Sequence, residues 1–165
     1  MKRKHNWFKA IWTLEERDKN GNLVCSEKIR NHLADEGEYS FLQTYFQGVD
    51  IPSTFYLRLC EGNLTESSTL ATVSGEPSGN GYESKSLSVG ITDFPTLAQV
   101  SGDWTISSKQ VVYTASGGSI GPFDTAYLAT TSDDTGKLVC YFSLARERTL
   151  SDGATFTLSV TITMQ

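Results

Sequence analysis

The chain has 165 residues, which fits one domain with one hydrophobic core better than two domains joined by a linker. Apolar residues make up 38% and charged residues 20%, which excludes an intrinsically disordered protein and a coiled coil. The net charge of −5 is uneven, +1 in residues 1–60 and −6 in residues 61–165, and an acidic body disfavours direct binding to nucleic acid.

Positive charge is concentrated at the N-terminus, in Lys2, Arg3 and Lys4. One interpretation is a solvated tail. The other is a flexible basic arm, residues 1–6, which would span about 20 Å when extended and bind an acidic neighbour. Both interpretations place the arm outside the folded domain.

The sequence gives no indication of membrane insertion or secretion. Its apolar runs are shorter than the roughly 18 residues that a membrane-spanning helix needs. The segment behind the basic N-terminus is interrupted by polar residues, unlike the apolar core of a signal peptide. We therefore expect synthesis in the cytoplasm and no membrane partner.

A β-hairpin is predicted at the start of the domain. Residues Trp7–Arg17 alternate between apolar and polar side chains with a period of two, which is typical of a strand with one face on the core. Asn20-Gly21 is a strong turn signal, and Leu23–Lys28 is expected to return antiparallel. The core-facing set would be Phe8, Ala10, Trp12 and Leu14.

The apolar period changes to three or four over residues 31–47, which predicts one short α-helix. Asn31 is the expected N-cap and Gly48 the expected stop, while Gly37 should weaken the helix by about 1 kcal/mol. We interpret the aromatic side of this helix as packed in the core rather than as a ligand platform. Its members are Leu33, Tyr39, Phe41, Leu42, Tyr45 and Phe46.

A strand over Phe55–Cys60 should lead into a long loop, residues 61–81, rich in Gly, Ser and Asn. A structureless connection of this length is unusual in a compact domain, so it should either wrap over the fold or reach a partner. Within it, Leu70–Val73 could pack down as an anchor. The candidate partner-binding residues of this region are Glu76, Pro77, Asn80 and Tyr82.

Short alternating segments bounded by turn residues fill the rest of the chain. The last of them, Ala154–Thr163, places apolar residues on one face and Ser or Thr on the other. About nine strands at spacings of 8–12 residues predict a mainly β fold. We predict a single-domain β-sandwich or jelly-roll-like domain over residues 7–165, with the N-terminal hairpin and the one short helix.

Catalytic and metal-binding patterns are absent from the sequence. It has no nucleophile elbow, phosphate-binding loop, zinc-protease motif or Cys-x-x-Cys pair, so we predict a non-enzymatic protein without cofactor or metal. Asp133-Asp134 is interpreted as part of a hairpin turn rather than as a catalytic pair. Cys25, Cys60 and Cys140 each lie in an apolar run and are predicted to be reduced packing residues.

The eighteen aromatic residues of the chain make carbohydrate a candidate class of ligand. Exposed Trp and Tyr side chains in β-sandwich proteins can stack on sugar rings, and Trp104 and Tyr113 are the candidates. Large aromatic side chains also fill sandwich interiors. The sequence does not decide whether Trp104 is buried.

Several short stretches together resemble small structural proteins of tailed bacteriophages, across most of the chain. After Gly81-Tyr82 the sequence has Ser84-Lys85 where the pattern would have Arg. The resemblance implies a virion component and identifies no catalytic residue. The stretches are Asn31-His32-Leu33, the helix through Phe46, Phe55–Leu59, Thr69-Leu70-Ala71, Gly81-Tyr82 and Trp104.

The favoured expectation is a capsid decoration or cement protein on the virion surface. It would bind and stabilise the shell of major capsid protein and associate with itself as a homotrimer or homodimer. Many copies on a symmetric shell gain from multivalency, so each contact can be modest. The alternative is a tail- or fibre-associated adhesion domain that binds host glycans.

Overall fold

The computed structural model describes residues 8–62 and 64–164, and the predicted arm with Lys2, Arg3 and Lys4 lies outside them. Two antiparallel sheets form the fold, which confirms a mainly β architecture consistent with a β-sandwich. The strands are β1 (Phe8–Arg17), β2 (Leu23–Arg30), β3 (His32–Leu33), β4 (Thr54–Cys60), β5 (Lys85–Ser88), β6 (Thr96–Val100), β7 (Asp103–Ser107), β8 (Val111–Thr114), β9 (Ile120–Ala129), β10 (Leu138–Leu150) and β11 (Thr155–Met164).

The first sheet, sheet A, has the order β2-β1-β11-β7-β6, with β8 paired to the beginning of β11. The predicted hairpin is confirmed, since β1 pairs with β2 around a turn in which the Asp18 carboxylate accepts backbone hydrogen bonds from Asn20 and Asn22. β1 also pairs along its whole length with β11, from Phe8 opposite Met164 to Arg17 opposite Thr155. The two most regular alternating segments of the sequence are thus neighbours at the centre of this sheet.

The second sheet, sheet B, has the order β3-β10-β9-β4-β5. The core lies between the sheets, where Trp12 lies 5.1 Å from Phe142 and Phe123 lies 5.2 Å from Phe156, ring centre to ring centre. These four side chains are fully buried. Each such burial stabilises the fold by roughly 1.5–3 kcal/mol, so this interior is the main source of stability.

The outer face of sheet B carries a smaller buried cluster, which the loop after β4 covers. The loop leaves β4 at Glu61 and returns at Gly75, where the Glu61 amide donates to the Gly75 carbonyl. Between these points Leu70 is fully buried at the start of a 3-10 turn, Leu70–Thr72. The loop therefore wraps over the fold, and the expected anchor is confirmed. Leu70 packs in the cluster of Ala34, Cys60, Tyr127, Ala129, Leu138 and Tyr141.

The helix is shorter than the predicted span of 31–47. Helix α1 covers Asp35–Leu42 and continues as a π-helical turn, Gln43–Gln47, which ends at Gly48 with a φ of 66°. The expectation that Asn31 caps the helix is wrong: its side-chain carbonyl accepts a hydrogen bond from the Ala10 amide, and Ala34 occupies the N-cap. Backbone pairing of residues 32–33 with β10 delays the start of the helix.

The three cysteines are free thiols. Cys60 and Cys140 are buried, and burial raises the pKa of each to about 12. Cys25 is half-buried beside Arg148, whose guanidinium bridges Glu16 and Glu27 at 2.6 and 2.7 Å. Since Arg148 belongs to β10 and the two glutamates to β1 and β2, this group of charges ties the two sheets together.

Candidate functional site

The predicted partner-binding residue Glu76 lies in a hydrogen-bonded network at the end of the long loop. Its carboxylate accepts hydrogen bonds from the Arg58 guanidinium, including Nε at 3.0 Å, and from the Tyr82 hydroxyl at 2.6 Å. The Tyr82 oxygen also accepts a bond from the Leu59 amide, on the edge of β4 just beyond its pairing with β5. The network therefore ties the end of the loop to the sheet edge.

Arg58 is the centre of this network and its side chain is only 6% exposed. It lies 5.4 Å from the centre of the Tyr127 ring and also donates to Asp134 at 3.1 Å. Burial alone would lower the pKa of Arg58, but its hydrogen bonds and charge interactions with Glu76 outweigh burial and raise it. For Tyr82 it is burial that raises the pKa. Both groups therefore keep their protons at any physiological pH.

The other predicted loop residues differ in exposure. Pro77 is half-buried, while Asn80 is exposed and donates from its side chain to the Ser119 carbonyl at 2.7 Å. A Cβ at Gly118 would lie 2.6 Å from the Asn80 amide oxygen, so glycine at this position leaves room for the side chain as it is placed. These contacts fix the loop on the domain, and a role in partner binding stays a prediction for all four residues.

The two aromatic candidates for glycan stacking have opposite environments. Tyr113 is fully buried: its hydroxyl donates to the Leu57 carbonyl at 2.7 Å and its ring stacks on Tyr82. A ring with no open face cannot stack on a sugar, so this part of the expectation is wrong. Trp104 is 57% exposed, which settles the point that the sequence left open.

Trp104 belongs to an apolar corner of sheet A that sheet B does not cover. Trp104 lies opposite Met164, which lies opposite Phe8. Residues directly opposite in an antiparallel sheet share a face, so these side chains continue the core-facing side of the sheet. Exposure rises toward the edge strand β6, from partly buried Phe8 to 67% exposed Leu97.

A second exposed apolar surface lies on α1 and the turn that follows it, and we call it the aromatic face. This location contradicts our interpretation of the helix, which placed these aromatic side chains in the core. Tyr45 is 74% and Phe46 73% exposed, the highest values among the aromatic residues that the structure describes. The aromatic face consists of Tyr39, Phe41, Leu42, Tyr45, Phe46, Val49 and Ile51, each at least 44% exposed.

Helix α1 turns its smallest residue to the protein. Gly37 is buried against β10, and a Cβ at this position would collide with the Val139 carbonyl oxygen. Close contact between helix and strand backbone leaves no space for aromatic rings between them. Gly37, which we expected only to weaken the helix, is therefore what permits this packing, and the large side chains point to solvent.

The long loop also braces α1. The Glu36 carboxylate accepts backbone hydrogen bonds from Leu70 and Leu138, each at 2.8 Å. The Asp35 amide donates to the Glu66 carbonyl at 2.8 Å. The beginning of the helix is thus joined both to the loop and to β10, so the aromatic face is presented from a supported base.

The aromatic face and the apolar corner lie at the same end of the sandwich. The Asn31 amide bonds the Ala10 carbonyl near the start of β1, and the Ala34 amide bonds the Val139 carbonyl near the start of β10. The chain therefore enters α1 from the end of the domain where Phe8 lies. This end concentrates the large apolar groups that water contacts.

Beside the start of α1 lies a shallow open cleft of about 580 Å³. The His32 and Tyr141 rings stack at its wall, 5.3 Å apart. Its lining contains two carboxylates and several hydroxyls but no Lys or Arg, which disfavours anionic ligands. The lining residues are His32, Asp35, Leu64, Thr65, Glu66, Ser67, Tyr141 and Ser143.

Within residues 8–62 and 64–164, no three His, Cys, Asp or Glu side chains are placed to hold a metal ion together. No helix in this part of the chain is long and apolar enough to cross a membrane. No known family model matches the sequence, and none of the curated proteins matches it.

Helical periodicity alone led to the wrong prediction that the aromatic face packs in the core. A spacing of three to four marks one side of a helix but does not say whether that side is buried. The signal that would have located it is the pair Gly37 and Ser40, three residues apart in the helix, because small residues mark the side on which a helix lies close to another backbone. The large side chains then have to face away.

Proposed function

We propose that the protein is a non-enzymatic structural component of a tailed-phage virion, a capsid decoration or cement protein that binds the shell of major capsid protein. The observation that carries the proposal is the aromatic face, whose seven large apolar side chains are each at least 44% exposed and whose rings contact one another. Monomeric proteins seldom leave contiguous apolar patches of more than a few hundred Å² in water, and larger ones mark interaction sites. The resemblance in sequence to phage structural proteins supports the same class of function.

The rest of the molecule suits a rigid clamp. Two sheets with a continuous core hold the apolar end in place, and the loop over sheet B is fastened at Leu70 and Glu76. Under this proposal the protein lies on the capsid surface as a homotrimer or homodimer. The basic arm, with Lys2, Arg3 and Lys4, is a second contact with acidic groups of the shell.

The test is to add purified protein back to expanded shells that lack it and to measure binding at physiological salt. Saturable binding, together with a higher melting temperature of the shell, is expected. A variant without residues 1–6 should bind more weakly than the full chain, and the difference should be larger at low salt, where charges are least screened. Absence of saturable binding by the full chain would refute the proposal.

Exposure of Trp104 favours one second candidate, a tail- or fibre-associated domain that binds host glycans. An indole that is 57% exposed beside Met164 offers an apolar platform for a sugar ring. A glycan array with the native protein and Trp104→Ala tests this candidate. Binding that disappears in the variant would support it, and an array without signal for the native protein would remove it.

A further inference from the structure

The aromatic face combines a large apolar area with an acidic border. Between Ala34 and Leu57 the sequence contains no Lys, Arg or His. The same stretch contains four carboxylates: Asp35, Glu36, Glu38 and Asp50. Glu36 is turned inward, where its carboxylate lies 3.8 Å from Lys137, so the border consists of Asp35, Glu38 and Asp50 with a formal charge of about −3. Lys137 also lies 5.9 Å from the Tyr39 ring centre.

The rings of the face are already arranged in the free protein. Phe41 and Tyr45 stack with ring planes 9° apart, and Phe46 meets Tyr45 edge-on with 5.1 Å between ring centres. The Thr44 hydroxyl bonds the carbonyls of Val49 and Asp50, which folds the following residues back onto the turn. A face that is organised before binding loses little side-chain entropy when a partner covers it.

We propose that the aromatic face docks into an apolar groove on a partner protein whose rim carries Lys or Arg. The aromatic rings would fill the groove, and the cations of the rim would meet the carboxylates and the open ring faces. This inference rests on the proposed function, in which the major capsid protein supplies the groove. To that function the inference adds the surface of this protein that makes the contact and the chemistry of the partner's groove.

The charge of the border decides between the partners that an apolar face could have. A second copy of this chain, docked by the same face, would bring two acidic borders together, which is unfavourable. Nucleic acid and anionic lipid surfaces are repelled for the same reason. A protein groove with a basic rim complements both the apolar and the charged parts of the face.

The test measures binding to expanded shells that lack the protein, with two double variants. Tyr45→Ser/Phe46→Ser removes the two most exposed rings of the face. Leu23→Ser/Val24→Ser is the matched control, because Leu23 and Val24 are 54% and 57% exposed at the hairpin-turn end of sheet A. Both variants should fold like the native protein, which circular dichroism and thermal melting would check.

We expect the Tyr45/Phe46 variant to bind at least about a hundredfold more weakly, since two central aromatic anchors are each worth at least about tenfold. The control variant should bind like the native chain. Glu38→Lys should slow association several-fold, and the slowing should diminish as salt is raised. Equal binding by the native protein and the Tyr45/Phe46 variant would overturn the inference and leave the proposed function standing.

Other occupants of the face give different results. Self-association of the native protein in sedimentation experiments, lost in the Tyr45/Phe46 variant, would mean that a second copy covers the face. If shells bind only a chain without residues 1–6, the arm of the same chain covers it. Either result would overturn the inference. If the native protein binds no shells in any form, the proposed function itself fails.

Discussion

Arg58 offers the sharpest test of how the loop is held on the sandwich. We predict that Arg58→Met destabilises the protein by about 3 kcal/mol, at the lower end of the 3–5 kcal/mol found when one partner of a buried ion pair is removed. Glu76 keeps 26% of its side chain exposed, so water compensates part of the loss. Asp134 is 60% exposed and its pair with Arg58 should contribute little.

Methionine keeps most of the apolar stem but removes the guanidinium, including its contact with the Tyr127 ring, so the loss reports mainly on the charged contacts. Glu76→Gln should cost about 1–2 kcal/mol, because a neutral amide still accepts the Tyr82 hydroxyl but binds the guanidinium less strongly. Since Asp134 is largely exposed, no buried charge is left unpaired in the double variant. Its loss should therefore be smaller than the sum of the single losses by at least about 1 kcal/mol.

Urea denaturation followed by tryptophan fluorescence gives the free energy of unfolding of each variant. For a domain of this length, 3 kcal/mol corresponds to a decrease of about 6–12 °C in melting temperature. Arg146→Met is the matched control, since Arg146 is an exposed arginine on β10. An Arg58→Met variant within about 0.5 kcal/mol of the native protein, or strictly additive losses, would refute the reasoning.

Three further predictions test the loop anchor, the thiols and one ion pair. Leu70→Ala should cost about 3 kcal/mol in urea denaturation, because a fully buried leucine leaves a cavity, and a loss below 0.5 kcal/mol would contradict the anchor. The pKa of Cys60 and Cys140 is near 12, so a thiol reagent at pH 8 should modify at most Cys25 of the folded protein within minutes. After denaturation it should modify all three thiols. Fast modification of all three in the folded protein would contradict this prediction. Lys109 lowers the pKa of Asp93 below its ordinary 3.8. The difference in stability between the native protein and Asp93→Asn should therefore be constant at neutral pH and shrink below about pH 4. A difference that does not change down to pH 2 would count against this prediction.

The sign of the last prediction follows from linkage between proton binding and folding. A carboxyl whose pKa is lower in the folded protein stabilises the fold at every pH above its unfolded value. That contribution disappears as pH falls and the group takes up a proton. Asparagine cannot titrate, so the free energy of unfolding of Asp93→Asn lacks this pH-dependent contribution.

The sequence by itself determined the sandwich and its hairpin. In strands such as β1 and β11, apolar residues alternate with polar ones. Because successive side chains of a strand point to opposite faces, this alternation places one face against a core and the other in water. Asn20-Gly21 fixed the turn through its local backbone preference, without reference to the rest of the chain. Leu70 was recognisable as an anchor because it stands in a polar loop.

The tertiary structure alone decided what the helix and the isolated aromatic residues do. Helical periodicity is the same for a buried and an exposed apolar side, so only the contact of Gly37 with Val139 turns Tyr45 and Phe46 toward solvent. Trp104 and Tyr113 both stand on strands, yet one strand lies at an uncovered corner and the other over the core. Burial depends on which element lies opposite, and that is a property of the assembled sheets rather than of local sequence.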